Sequence, residues 1–506
     1  GYAECGLSME AFMLFKNMKE GDTIVDQGIM ISLVKTCTNT QMQMQGYICH
    51  AFAIEHNLEY DSVVGNGLIT MYATCGNIVD ASVLFNRLPI RNTMTWNAFI
   101  SGLTLPSNEL AQNAHRVLTS FHEMVGASIQ PDIVTFISIL KVCSILSALN
   151  NGSLIHALIV EGDLSSNILV GNALINMYIK CGDIHQACLM FNKLSIHDNI
   201  TYNVMIEGFG KNGRAKQALL FFEKMQDDDI YVDGVTFISL LSACSHSGLL
   251  KEGCYYFKLM KWVYRISPWV DHCNLMVDLM GRGGFLSEAE DFLHTMPCRT
   301  DIAGWMSLLT HCRNYVDVEL GLQCFENVNA LCPQNASSYV LMSSIYSRSG
   351  MWVDAERLEN LRRVTQDAIK KPAKACVEIG NKIHEFMVGD NSHPEINTVY
   401  EKLEELIPRM KAEGYEPNFD AMPYLTSDKE KEAALCGHSE KLAIAFGLIN
   451  TCEGMSIRVS KNLRVCSDCH FAAKVISKIE KREIFIVDTY HIHHFSGGDC
   501  SCRDFF

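Results

Sequence analysis

The sequence matches itself again and again, and this self-similarity limits the possible folds more than any other feature. The stretch "VVGNGLITMYATCGNIVDASVLFNRLP" from Val63 returns as "LVGNALINMYIKCGDIHQACLMFNKLS" from Leu169, and its skeleton returns a third time as "HCNLMVDLMGRGGFLSEAEDFLHTMP" from His272. A second register links "TWNAFISGL" at Thr95 with "TYNVMIEGFG" at Thr201, and a third links "VTFISILKVCS" at Val134 with "VTFISLLSACS" at Val235. In each unit, apolar residues at helical spacing run into a glycine such as Gly76, Gly182 or Gly284, and a second amphipathic run follows. A glycine there suits a helix end that needs a left-handed residue, so each unit is predicted to be helix, turn, helix. One pair of short helices cannot bury its own apolar faces. Stacked in series, such pairs make an α-solenoid with a continuous core and a long concave surface.

Composition narrows the possibilities further. A chain of 506 residues is too long for one ordinary core, which agrees with repeats plus a further domain. With 48% hydrophobic residues and no apolar run of membrane-spanning length, the chain is expected to be soluble. Its 42 basic residues face 57 acidic ones, a net charge of −15 that argues against holding nucleic acid by bulk electrostatics and leaves base reading by polar side chains open. The 21 cysteines are spread through helical patterns, as in a reducing compartment where most thiols serve as small core residues. The sequence opens at "GYAECG" without a methionine, so a longer N-terminus carrying any targeting signal is expected.

The unit lengths and skeletons resemble plant pentatricopeptide repeat proteins of the class with alternating P, L and S motifs. The units fall at 1–26 (truncated), 27–61, 62–92, 93–132, 133–167, 168–198, 199–233, 234–269 and 270–301, the fourth lengthened around "LTLPSNELAQ". After them, "WMSLLTHCRNYVDVELG" and "SSYVLMSSIYSRSGMWVDAERL" resemble the family's E motifs, which places those motifs over 302–372. The resemblance implies that each repeat faces one RNA base, read by the side chains at the fifth and last positions of the unit. Those pairs are Asn66 with Asn92, Asn97 with Asp132, Asn172 with Asp198, Asn203 with Asp233, and Asn274 with Asp301. An amide both donates and accepts while a carboxylate only accepts, which suits base reading. The alternative is that Asn at the fifth position caps the first helix of its unit. Ile31, Ile137 and Ile238 hold that position in other units, where an aliphatic side chain contributes spacing instead of readout.

The C-terminal part carries chemistry of another kind. "CGHSEKLAIAF" sets His438 and Glu440 two positions apart, and "VCSDCHFAAK" follows with Cys466 and Cys469. One imidazole and two thiolates leave the fourth position of a tetrahedral zinc open, as hydrolytic chemistry needs, and Glu440 stands beside it without being a ligand. This is the H-x-E with C-x-x-C signature of zinc-dependent nucleobase deaminases, in which the glutamate carries protons. Taken alone, the C-x-x-C also fits a redox pair or a structural zinc site. Val465 stands where a proline often precedes the first cysteine of the signature.

The segments "GDNSHPEINTVYEKLEEL", "HSEKLAIAFGLIN", "KNLRVCSDCHFAAKVISKI", "REIFIVD" and "HHFSGGDCSCRDFF" resemble the DYW domain of plant organelle RNA-editing factors. The resemblance implies a mixed α/β cytidine deaminase domain over 373–506 with two zinc ions. The second ion would be structural, held by His470, His493, Cys500 and Cys502, with His494 as the competing ligand. It further implies C-to-U editing of single-stranded RNA in a mitochondrion or chloroplast, without DNA or a membrane as partner, together with other editing proteins. The runner-up is an RNA-binding adaptor that recruits another deaminase. Two departures from the family bear on activity. The chain ends Asp504-Phe505-Phe506 where the family has Asp-Tyr-Trp, and "KKPAKACVEIG" replaces a proline-glycine box, with Ala373 and Cys376 in the places of a glycine and a tryptophan.

Overall fold

The computed structural model describes residues 7–20, 26–105, 110–298, 300–365, 372–418 and 428–504. The head of the truncated first unit, the centre of the lengthened fourth unit, and Phe505 and Phe506 of the altered ending lie outside the described residues. Twenty-five helices and six strands are described. None of these helices is long and apolar enough to cross a membrane. The chain divides into two compact units, one of residues 1–146 and 151–173, the other of 147–150 and 174–506.

In the first unit, the helix Ser62–Thr74 begins at Asp61, whose carboxylate accepts from the N–H groups of Val63 and Val64, each at 3.0 Å. It ends at Gly76, whose φ of 82° is the left-handed turn expected of that glycine. Asn77 then caps the second helix, Ile78–Arg87, by accepting from the Asp80 N–H at 3.1 Å. Leu68, Ile69, Tyr72, Leu84 and Phe85 bury the faces of the pair.

The second unit repeats this device. Gly182 turns the chain at φ 80°, and Asp183 caps Ile184–Lys193. Close packing of successive first helices depends on small residues: a Cβ on Gly210 in Asn199–Lys211 would come within 2.7 Å of Ala243 in Gly234–His246. The helices Ile302–Tyr315, Val318–Leu331, Ala336–Arg348 and Trp352–Val364 continue the pattern through the segments resembling E motifs.

A six-stranded sheet follows, in the order β2-β1-β3-β4-β5-β6. Its strands are β1 (Lys374–Ile379), β2 (Lys382–Met387), β3 (Ile457–Lys461), β4 (Ile484–Val487), β5 (Ile492–Ser496) and β6 (Asp499–Cys500). β3 and β4 run parallel and the other neighbours antiparallel. The parallel pair needs a crossover, which the helix Ser467–Ile479 provides. With Ile396–Ala412 and Ser439–Asn450, it buries Val399, Leu403, Leu442, Phe446 and Ile476 against Val377, Val459, Ile484, Ile486 and Phe495. The helix bearing His438 at its N-cap and the loop after β3 bearing Cys466 are thereby brought side by side.

Candidate active site

Both His438 and Cys466 are N-cap residues, so the partial positive ends of two helices converge where they meet. The Nδ1 of His438 lies 3.5 Å from Cys466 Sγ and 3.4 Å from Cys469 Sγ. Around a tetrahedral zinc with usual bond lengths, the edge between nitrogen and sulfur is about 3.5 Å. The three residues therefore fit the ion as they stand, with one position left open. The Cys469 thiol, against the effect of burial and with help from His438, pulls the Cys466 thiol down to about 5, while burial pushes Cys469 well above the ordinary range.

Glu440 occupies the first turn of Ser439–Asn450 and is 2% exposed. Its Oε2 accepts from Lys461 Nζ at 2.6 Å, and the same ammonium donates to Ser439 Oγ at 2.7 Å. Oε1 has no hydrogen-bond partner among the described residues. A second buried pair lies alongside: Lys441 Nζ is 2.6 Å from Asp468 Oδ2, and Tyr415 donates to Asp468 Oδ1 at 2.7 Å. Sequence reasoning missed these two lysines, because a lysine reads as a solvated surface residue until the fold buries it. Asp468 had a signal, as a carboxylate inside the C-x-x-C loop.

The second group, His470, His493, Cys500 and Cys502, is buried, and its candidate ligand atoms lie within 4.8 Å of one another. Cys502 Sγ is 3.2 Å from both His470 Nε2 and Cys500 Sγ, and Cys500 Sγ is 3.7 Å from His493 Nδ1. Four protein atoms would close a zinc shell. His494 points elsewhere, stacked on Phe485 with ring centroids 4.3 Å apart. His491 packs against His246 at 4.3 Å. Asp488 connects the two groups. Its Oδ2 accepts from the N–H of Val465, next to Cys466, at 3.0 Å and lies 3.6 Å from His493 Nε2. A carboxylate behind a ligating imidazole is a common outer partner in zinc sites.

Three of the expected recognition pairs are joined by hydrogen bonds. Asn97 Nδ2 donates to both carboxylate oxygens of Asp132 at 2.9 Å, Asn203 to Asp233 at 3.3 Å, and Asn274 to Asp301 at 3.0 Å. Asn66 and Asn92 share no hydrogen bond among the described residues, and Asn172 and Asp198 belong to different compact units. Among the described residues the Oδ1 atoms of Asn66, Asn203 and Asn274 are buried without a hydrogen-bond partner.

The capping alternative for these asparagines is corrected by the structure. Asn66, Asn97, Asn203 and Asn274 lie within the first helix of their units, past its cap. The cap is the last residue of the preceding unit: Asn92, Asp198, Asp233 and Asp301 accept from the backbone N–H three residues on. The recurring threonine in "NTMT", "DIVT", "DNIT" and "DGVT" was the overlooked signal, since in the last two its hydroxyl completes a reciprocal capping box.

Family models match along the chain. PPR repeats match 1–22, 172–196, 235–262 and 271–299, the related PPR repeat family 197–246, the E motif 315–378, the E+ motif 383–410, and the DYW family of nucleic acid deaminases 414–506. A pentatricopeptide repeat-containing protein of Arabidopsis thaliana, named as chloroplastic, is 37% identical over the whole chain, which covers 58% of that protein. Another from the same organism is 35% identical over the whole chain, which covers 70% of it. The chain thus spans well over half, but not all, of these relatives. The crystal structure of the pentatricopeptide repeat protein PPR10 from maize matches with a TM-score of 0.53 at 16% identity, covering 85% of this chain and 62% of that one, a likeness of fold.

Proposed function

The chain belongs to the pentatricopeptide repeat-containing proteins, with E and E+ motifs and a domain of the DYW deaminase family, and on that premise we propose that it binds single-stranded organellar RNA and deaminates one cytidine to uridine. The observation that carries this reading is the convergence of His438, Cys466 and Cys469 next to a buried Glu440. Repeats over 1–301 read the RNA, the segment 302–372 links, and 373–506 is catalytic. The pairing of β1 with β3 supports starting the catalytic domain at 373.

His438, Cys466 and Cys469 would hold the catalytic zinc, which when bound supplies Lewis-acid activation of water. Glu440 does the proton work. With Oε2 committed to Lys461, Oε1 takes a proton from the attacking water and delivers it to the cytosine ring nitrogen, then carries the proton of the added hydroxyl to the amino group, which leaves as ammonia as the carbonyl of uridine forms. His470, His493, Cys500 and Cys502 would hold a second, structural zinc. The site of action would be a mitochondrion or chloroplast, with other editing proteins as further partners.

The adaptor reading draws on one observation, the buried ion pair that engages Glu440. Purified protein incubated with cognate RNA, with no other deaminase present, separates the two readings. Conversion of the target C to U supports the enzyme, and binding without conversion supports the adaptor.

A further inference from the structure

In the last repeat unit, the Cys298 thiol donates to Cys273 Sγ at 3.5 Å. Cys273 is fully buried, one position before Asn274 on the helix Val270–Arg282, while Cys298 is partly exposed and lies three positions before Asp301. Two units of the same skeleton lack the pair. At the corresponding positions the units 62–92 and 168–198 carry Gly65 with Ile90 and Gly171 with Ile196, and both isoleucines are exposed.

We propose that Cys273 and Cys298 form a reversible disulfide under peroxide, and that this modification acts on the adjoining pair Asn274 and Asp301. The thiols are close enough that joining them brings the sulfurs about 1.5 Å nearer to reach bond length. Cys298 meets the oxidant, since it is the partner open to solvent. Hydrogen peroxide converts its sulfur to a sulfenic acid and releases one water. The Cys273 sulfur then displaces hydroxide, which leaves with the Cys273 proton as a second water, so two thiols give up two electrons and two protons to one peroxide. Burial, with the hydrogen bond from Cys298, holds the Cys273 thiol up to about 12, which keeps it protonated and leaves the first encounter with peroxide to Cys298; its part in the second step rests on its place 3.5 Å away.

The consequence for RNA rests on the base-reading proposed above. Asp301 is tied to Asn274 at 3.0 Å and also caps the helix Ile302–Tyr315. A displacement of over an ångström three positions upstream disturbs that contact through a short tether.

The test uses the whole chain, treated with hydrogen peroxide, mapped by mass spectrometry and assayed for RNA binding, beside Cys298→Ser, which keeps every proposed zinc ligand. The expected result is a Cys273–Cys298 cross-linked peptide that dithiothreitol removes and the variant lacks. With it comes a loss of roughly fivefold in affinity for RNA carrying U opposite this unit, the scale of one hydrogen bond. Both thiols remaining open to alkylation after excess peroxide overturns the proposal. A cross-link with unchanged affinity overturns its second half. Indifference of the reduced protein to that base refutes the reading by Asn274 and Asp301 instead.

Discussion

Lys461 and Glu440 form an ion pair of 2.6 Å with both side chains almost fully buried. One carboxylate oxygen is committed to the ammonium, and the other is left for chemistry. A buried ion pair adds little net stability over apolar packing, yet removing one partner strands the other at a cost of about 3–5 kcal/mol. Lys461→Met is therefore expected to destabilise the C-terminal domain by that order and to slow single-turnover conversion by ten- to a hundredfold with zinc content kept. Lys461→Arg, retaining the charge, should recover part of the rate. Urea unfolding and single-turnover kinetics measure both.

The metal prediction follows from two separate donor sets. Elemental analysis should find two zinc ions per chain, Cys466→Ala losing one and Cys500→Ala the other. Asp488→Asn, which replaces the carboxylate behind His493, should weaken the second ion by ten- to a hundredfold in chelator competition. A single zinc, unaffected by Cys466→Ala, contradicts the assignment.

Much of this was legible in the sequence, for identifiable reasons. Repeat period and turn glycines are local, so the helix pairs could be read directly, with Gly76 and Gly182 at positive φ as expected. The proposed ligand residues could be picked out because H-x-E and C-x-x-C are short and chemically specific, and the structure brings them together. What surrounds them could not. Asp488 meets Val465 only through the pairing of β3 with β4, and Lys461 meets Glu440 only through the packing of Ser439–Asn450 on the sheet, both contacts between distant segments. The order of "HIHHF" likewise cannot tell which histidine faces inward. Strand alternation decides it, burying His493 fully and leaving His494 partly exposed beside Phe485.

Turn glycines supply a third prediction. A Cβ on Gly76 meets nothing within 4 Å, so Gly76→Ala should cost only the left-handed strain of about 1–2 kcal/mol. A Cβ on Gly182 would come within 2.5 Å of the Phe485 ring, adding an overpacking cost of about 1–3 kcal/mol. Thermal unfolding of the two variants should differ accordingly, and Phe485→Ala should remove the difference.

The fourth prediction concerns base preference. The resemblance implies that Asn with Asp favours U and Asn with Asn accepts C or U, read from the N-terminus as RNA runs 5′ to 3′, with the last unit about four nucleotides before the target. From 62–92 to 270–301 the site should read pyrimidine, U, any, U, U, any, U. Asp233→Asn should shift the fifth of these from U towards C, at about 1 kcal/mol for the original RNA. Because Asp233 also caps Gly234–His246, and asparagine caps equally well, the helix should be unaffected. Binding to single-base RNA variants reads the shift directly.

Glu440 is proposed to move the proton in a deamination carried out by this chain. The most direct measurement compares wild type and Glu440→Ala, each purified free of other deaminases, for conversion of C to U in cognate RNA, with zinc content and RNA affinity determined on the same samples. Wild type should convert the target and the variant should not, at nearly equal zinc and affinity, because Glu440 is not among the proposed ligands. Undiminished conversion by Glu440→Ala would contradict it.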